Sequence, residues 1–246
     1  MPLRPLGVGS SKEEARIKAA YERRKTQIAS TRYSFHDLAN LLSIQERERR
    51  VLALLARHAH VPLEGMKILE VGCGTGFWLR EFIRWGARPE NIFGLDLLPD
   101  RIEECRRLCP DGVTVRPSNA STIDSPSESF DLVLQSTVFS SVLEAGVKQQ
   151  MANEMLRVLR HEGIILWYDF FVDNPYNSDV RGIGRSELRT LFSGCKITCN
   201  RITLAPPLAR LITPYAPTVC EFLAGLRIFD THLLAAISKR NQIKGG

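Results

Sequence analysis

The densest run of chemically suggestive residues in this 246-residue chain is Glu70-Val71-Gly72-Cys73-Gly74-Thr75-Gly76, with Asp96 twenty positions beyond it. Alternating glycines suit a sharp turn at which the main chain comes close to a ligand. A carboxylate ending the following strand can accept hydrogen bonds from both hydroxyls of a ribose. The two features together predict a bound nucleoside. The spacing reads G-x-G-x-G, not the G-x-G-x-x-G of dinucleotide sites. Glu70, two positions before the first glycine, would repel a pyrophosphate and attract an ammonium group. The expected ligand is therefore an amino acid joined to a nucleoside.

Two other segments carry reactive side chains. Tyr33-Ser34-Phe35-His36-Asp37, with Asn40 just beyond, is rich in aromatic and titratable groups for a connector. His36 is the first choice of base there, since an imidazole ordinarily titrates near about 6.5. Trp167 to Tyr176 runs from a strand into a loop, and open parallel sheets bind ligands beyond such strand ends. Tyr33, His36 and Asp169 are thus the candidate catalytic groups. Asn40, Tyr168, Asn174 and Arg181 are the candidate substrate contacts. Asn174-Pro175-Tyr176 reads as a turn signal.

These groups need a scaffold. Helix formers fill 12–25 and 43–60; after Pro62 the pattern becomes an alternation of strands and helices. Strands are expected at 66–71, 91–97, 113–116, 130–135, 163–169, 196–204 and 231–238, and helices at 77–85, 99–108, 147–159 and 186–191. Such alternation favours a largely parallel sheet covered by helices on both faces. One domain, 61–246, carries an N-terminal helical appendage, 1–60. An apolar insert, 206–227, precedes the last strand and suits a cover over an apolar substrate, core packing or contact with a lipid surface.

Ile68 to Gly76 resembles the first motif of the class I S-adenosylmethionine-dependent methyltransferases, here of the small-molecule type. Gly94-Leu95-Asp96 resembles that superfamily's acidic strand end, Phe130 to Gln135 its fourth-strand motif, and Leu156 to Leu166 the helix, turn and fifth strand that follow. The resemblance covers about residues 60 to 170. It implies a Rossmann-like, doubly wound α/β fold with a mostly parallel seven-stranded sheet, and 1–60 as a helical lid. It also implies S-adenosyl-L-methionine as cofactor and S-adenosyl-L-homocysteine as product. Glu70 and the loop Gly72, Cys73, Gly74 and Gly76 would hold the methionine end; Asp96 would bind the ribose, and Leu97 would lie against the adenine. Asn119-Ala120 stands where the superfamily often has Asp-Ala, so Asn119 could accept from the adenine amino group, and Gln135 would line the methionine arm. A divalent ion of the catechol-type kind would need an acidic ligand after the fourth strand, where Gln135-Ser136 supplies none, and no metal is expected.

Bulk properties narrow the rest. The formal charge of +6 has a large share in the first sixty residues, with twelve Lys and Arg against six Asp and Glu. Acidic residues interrupt runs such as Arg47-Glu48-Arg49-Arg50, which therefore read as solvated helix face. The six cysteines include no C-x-x-C pair. Neither a signal peptide nor an apolar run of membrane-spanning length is evident, so a soluble cytoplasmic protein is expected. The function expected is methylation of a small molecule, at a hydroxyl of a glycan precursor or secondary metabolite. An RNA methyltransferase and a non-catalytic binding module are the alternatives. The partner is a small-molecule acceptor; neither nucleic acid nor membrane is the expected one.

Overall fold

Ile68–Val71 is buried at all four positions and Phe130–Ser136 at most of its length, as strands covered on both faces must be. A computed structural model of the chain describes residues 8–27, 34–58 and 60–240. Its strands are β1 (Ile68–Val71), β2 (Ile92–Asp96), β3 (Thr114–Pro117), β4 (Phe130–Ser136), β5 (Leu159–Phe170), β6 (Cys195–Leu204) and β7 (Asp230–Lys239). They form one sheet in the order β3-β2-β1-β4-β5-β7-β6. The first five run parallel, and β7 lies antiparallel between β5 and β6. This is a mostly parallel Rossmann-like sheet whose strand order reverses between β1 and β4, which opens a crevice at their carboxyl ends.

Helices cover both faces. α2 (Leu38–Arg57), α3 (Phe77–Arg84) and α4 (Pro99–Leu108) pack on one, where Leu55, Leu79, Phe82 and Ile102 meet Ile68, Leu132 and Leu166. On the other, α5 (Ala145–Val158) and α6 (Arg185–Leu191) place Met155 and Leu188 against Val133, Ile165 and Trp167. Ile17 of α1 (Val8–Gln27) joins that second layer. Because side chains alternate along a strand, Glu70 and Tyr168 face α2 and α3, whereas Asp169 faces α5.

The apolar run after β6 becomes two short helices, α7 (Pro206–Ile212) and α8 (Pro217–Leu226), each with proline in its first turn. They bridge Leu204 to Asp230 at the same sheet edge as the crevice. Ala39 of α2 packs with Ala209 and Cys220 of this pair. α2 begins five residues earlier than the periodicity predicts because Asp37 caps it, accepting from the backbone N–H of Ala39 at 2.9 Å. β5 likewise starts early, at Leu159, which pairs with Phe130 across a register shift. No helix among the described residues is long and apolar enough to cross a membrane.

Candidate functional site

The turn from β1 into α3 is held by the neighbouring strand: the N–H groups of Gly72 and Cys73 both donate to the Leu95 carbonyl, at 2.7 and 2.9 Å. Asp96 ties the same turn from the side, accepting from the Gly74 N–H at 2.9 Å and the Leu98 N–H at 2.9 Å. One oxygen thus holds the glycine turn and the other the start of α4, so both loops at the crevice share one carboxylate. Gly72 has φ +72°, and a Cβ on it would stand 2.3 Å from Val138 Cγ2. Cys73 is buried and closes against Gly94 of β2.

Glu70 lies beneath this turn, 2% exposed, and its Oε2 has no hydrogen-bond partner among the described residues. Burial, and then the Asp96 carboxylate, push its pKa well above the usual carboxylate range. The guanidiniums of Arg80 and Arg47 oppose that shift. A buried carboxylate without a partner is costly, and a cation placed against it removes the cost.

Arg47 of α2 is the neighbour that the sequence reading missed. Its guanidinium lies 5.3 Å from the Trp78 ring and 5.0 Å from that of Tyr168, and its Nε is buried without a partner among the described residues. The run Arg47-Glu48-Arg49-Arg50 looks solvated, yet Arg47 is the member turned onto the sheet. His232 is the second such residue. It stacks on Tyr168 with centroids 4.8 Å apart and planes 7° apart. Burial, reinforced by Arg47, lowers its pKa to about 3, so it stays neutral. Tyr168 is buried too, its hydroxyl 3.0 Å from Thr203 Oγ1, and burial raises its pKa.

The other sequence candidates fall in several places. Leu97 and Ala120 are half-buried along the crevice. Asn119 Oδ1 accepts from the Ser121 N–H at 2.9 Å and from its hydroxyl, while its Nδ2 donates to Glu14 of α1 at 3.2 Å. Gln135 is fully buried, its amide oxygen accepting from the Val138 N–H at 3.1 Å, which braces the loop after β4. Asn174 is exposed and accepts from the Tyr176 N–H at 3.1 Å, the turn that its sequence context predicts. Arg181 is spent on Glu187, with both contacts at 2.9 Å. His36 is exposed, and Asn40 donates to the Ser34 carbonyl at 3.1 Å. Tyr33 lies outside the described residues.

Asp169 is turned away from Tyr168 and His232. It is fully buried and accepts from the backbone N–H groups of Ser140 at 3.1 Å and Phe170 at 3.0 Å. Burial raises its pKa from 3.8 to about 7. A carboxyl raised in this way contributes stability at low pH that is lost as pH rises towards 7. Asp169→Asn removes that dependence. Asn gives up one of the two backbone hydrogen bonds, so the variant's stability relative to the parent is expected to be lower at pH 4 and to shift in its favour up to pH 7, by up to about 4 kcal/mol. A stability difference that stays constant across that range would show that Asp169 carries no buried charge.

Comparison with known proteins gives this geometry a context. A family model described as a methyltransferase domain matches residues 68–163. The sterol 24-C-methyltransferase of Aspergillus fumigatus is 30% identical over 138 residues, 51% of this chain and 35% of that protein. The chain thus spans about a third of that relative's length. The phosphatidylethanolamine N-methyltransferase of Cereibacter sphaeroides is 29% identical over 163 residues, 65% of this chain and 78% of that protein. Among solved structures, the 1,6-didemethyltoxoflavin-N1-methyltransferase of Burkholderia thailandensis, with S-adenosylhomocysteine bound, superposes with a TM-score of 0.61 at 17% identity. That alignment covers 97% of this chain and 94% of the other.

Proposed function

Because residues 68–163 make this chain a member of the class I S-adenosylmethionine-dependent methyltransferases, we propose that it methylates a hydroxyl of a small acceptor, a glycan precursor or secondary metabolite, with S-adenosylmethionine as donor. One observation carries this reading. Glu70 Oε2 and Arg47 Nε are both buried and unpartnered among the described residues, on one face of the sheet beside the glycine turn. Two buried groups that carry opposite charge when ionised, each with one polar atom left unpartnered, fit a zwitterion, the amino-acid end of that cofactor.

When bound, the cofactor supplies a methyl carbon on a sulfonium, open to displacement. The chain's own residues hold and align. Glu70 accepts from the ammonium group and Arg47 faces the carboxylate. Asp96 keeps lone pairs for ribose hydroxyls while holding Gly74 and Leu98. Leu97 and Ala120 form the apolar wall for the adenine; Asn119, whose oxygen already serves Ser121, contributes through its place at the rim. Alignment of this kind can lower a barrier by roughly 7 to 11 kcal/mol. Tyr168 and His232 border the acceptor side, where the neutral imidazole accepts a hydrogen bond from a hydroxyl. The sterol and phospholipid methyltransferases among the relatives favour an acceptor with an apolar body, which the α7–α8 cover suits. Of the expected bases, His36 has an exposed side chain and is retained as the proton acceptor.

Incubation of the chain with methyl-labelled cofactor and fractionated metabolites tests the proposal. Label is expected in a small hydroxylated compound. Tight cofactor binding with no labelled fraction would overturn the transfer, and label in RNA would overturn the acceptor class. With the labelled compound in hand, His36→Ala is expected to lower turnover about 100-fold with cofactor affinity unchanged. Full turnover would remove His36 from the mechanism.

A further inference from the structure

Between α2 and the β6–β7 edge of the sheet, Arg50, Arg57, Arg185, Arg201 and Arg227 line a cavity of about 400 Å³ together with Asn200 and apolar side chains. No carboxylate lines it, and none of the five guanidiniums forms a salt bridge among the described residues. Arg227 donates to the Arg201 carbonyl at 2.8 Å, which fixes one corner. Glu46 and Asp230 lie close enough to feel these charges, but Asp230 is recessed, 3% exposed, and neither reaches the lining. Five guanidiniums against two carboxylates leave an excess of positive charge at an open surface.

Next to it lies a group of exposed apolar side chains without a partner among the described residues. Leu211, Tyr215, Val219, Phe222, Ile228 and Phe229 are all exposed, Tyr215 at 87% and Leu211 at 69%. Scattered exposed apolar residues are ordinary, but six of them within nineteen residues, on α7, α8 and the turns beside them, point to an interaction surface. Arg227 belongs to both features, since it lines the cavity and is flanked in the chain by exposed Leu226 and Ile228. Clustered guanidiniums bind phosphate, as they bind carboxylate, through paired N–H donors. Apolar side chains that enter an interface beside bound phosphates are the signature of a lipid surface. An RNA surface would require groove-lining aromatics on which bases could stack, and no aromatic residue lines the cavity.

We propose that the arginine cavity holds the phosphate of an anionic phospholipid headgroup while the α7–α8 face rests in the bilayer surface beside it. α7 and α8 bridge the sheet edge onto which the crevice opens, so docking would turn that edge towards the lipid. The docking reading stands on the surface alone and does not depend on methyl transfer.

Flotation of the full chain with vesicles tests it. Binding is expected to vesicles of phosphatidylcholine with phosphatidylglycerol, to be weak on phosphatidylcholine alone, and to fall with added salt. Arg57→Ala with Arg201→Ala removes two exposed charges and is expected to weaken partition about 30-fold. Phe222→Asp, at an exposed position, is expected to weaken it about tenfold or more. Circular dichroism of both variants checks that the fold is kept. Equal binding to both vesicle types, or no loss in either variant, would overturn the proposal. So would binding of inorganic phosphate or of RNA without binding to vesicles. Failure here with label transfer intact would leave the catalytic reading standing.

Discussion

Glu70→Gln is expected to raise the thermal midpoint of the cofactor-free chain by about 4–8 °C while weakening S-adenosylmethionine binding about 30-fold. The first effect follows from burial. A carboxyl whose folded pKa is raised contributes stability below its unfolded value and loses it as pH rises through the folded one. Gln keeps the shape and cannot charge, so about 2 kcal/mol is recovered at high pH, equivalent to roughly 2–4 °C per kcal/mol in a domain of this size. The second effect is the loss of a charge-assisted hydrogen bond to an ammonium group, about 2 kcal/mol. The pH dependence separates this account from a packing effect. Binding a cation to a carboxyl that is partly protonated releases a proton, so affinity should rise with pH and the binding heat should depend on the buffer's ionisation enthalpy. A buffer-independent heat together with an unchanged midpoint would remove Glu70 from the role given to it.

Gly72→Ala is expected to cost about 3 kcal/mol in urea denaturation. Roughly 1–2 kcal/mol comes from a left-handed backbone that a Cβ disfavours. A further 1–3 kcal/mol comes from overpacking against Val138, whose Cγ2 would be 2.3 Å away. Val138→Ala relieves the second contribution and leaves the first. A double-mutant cycle should therefore show a favourable coupling of about 1 kcal/mol or more between the two substitutions. Strict additivity would mean that the loop moves aside, and that glycine is needed there for the backbone alone.

The glycine turn and Asp96 were legible because both are local: a strand end, a turn and a carboxylate at fixed spacing lie within one βαβ unit. The Asn174 turn was legible for the same reason. Arg47 was not, since a cation in a charged helical run looks solvated until the helix is docked and one face is turned onto Trp78 and Tyr168. His232 could not be seen either. Its stacking on Tyr168 depends on β7 entering antiparallel between β5 and β6, a pairing that no local pattern encodes. The inward turn of Asp169 was available in principle, since alternation along β5 groups it with Trp167 on the α5 face. Its carboxylate drew attention as chemistry before the strand's two faces were counted.

α1 crosses the loops that follow β3 and β4 at the carboxyl edge of the sheet and grips them chiefly through polar groups. Glu13 accepts from the Leu143 N–H, Arg16 donates to the Ser141 carbonyl, Glu14 accepts from Asn119, and Arg101 of α4 lies over Tyr21. Contacts of this kind slacken as mobile ions gather around them, over a distance of about 10 Å at 0.1 M salt, whereas the apolar layers beneath respond little. The mouth of the molecule and its core thus answer to different variables: one to the ionic medium, the other to temperature and denaturant. The grip of α1 on those loops is one that the surrounding electrolyte can loosen without disturbing the sheet below.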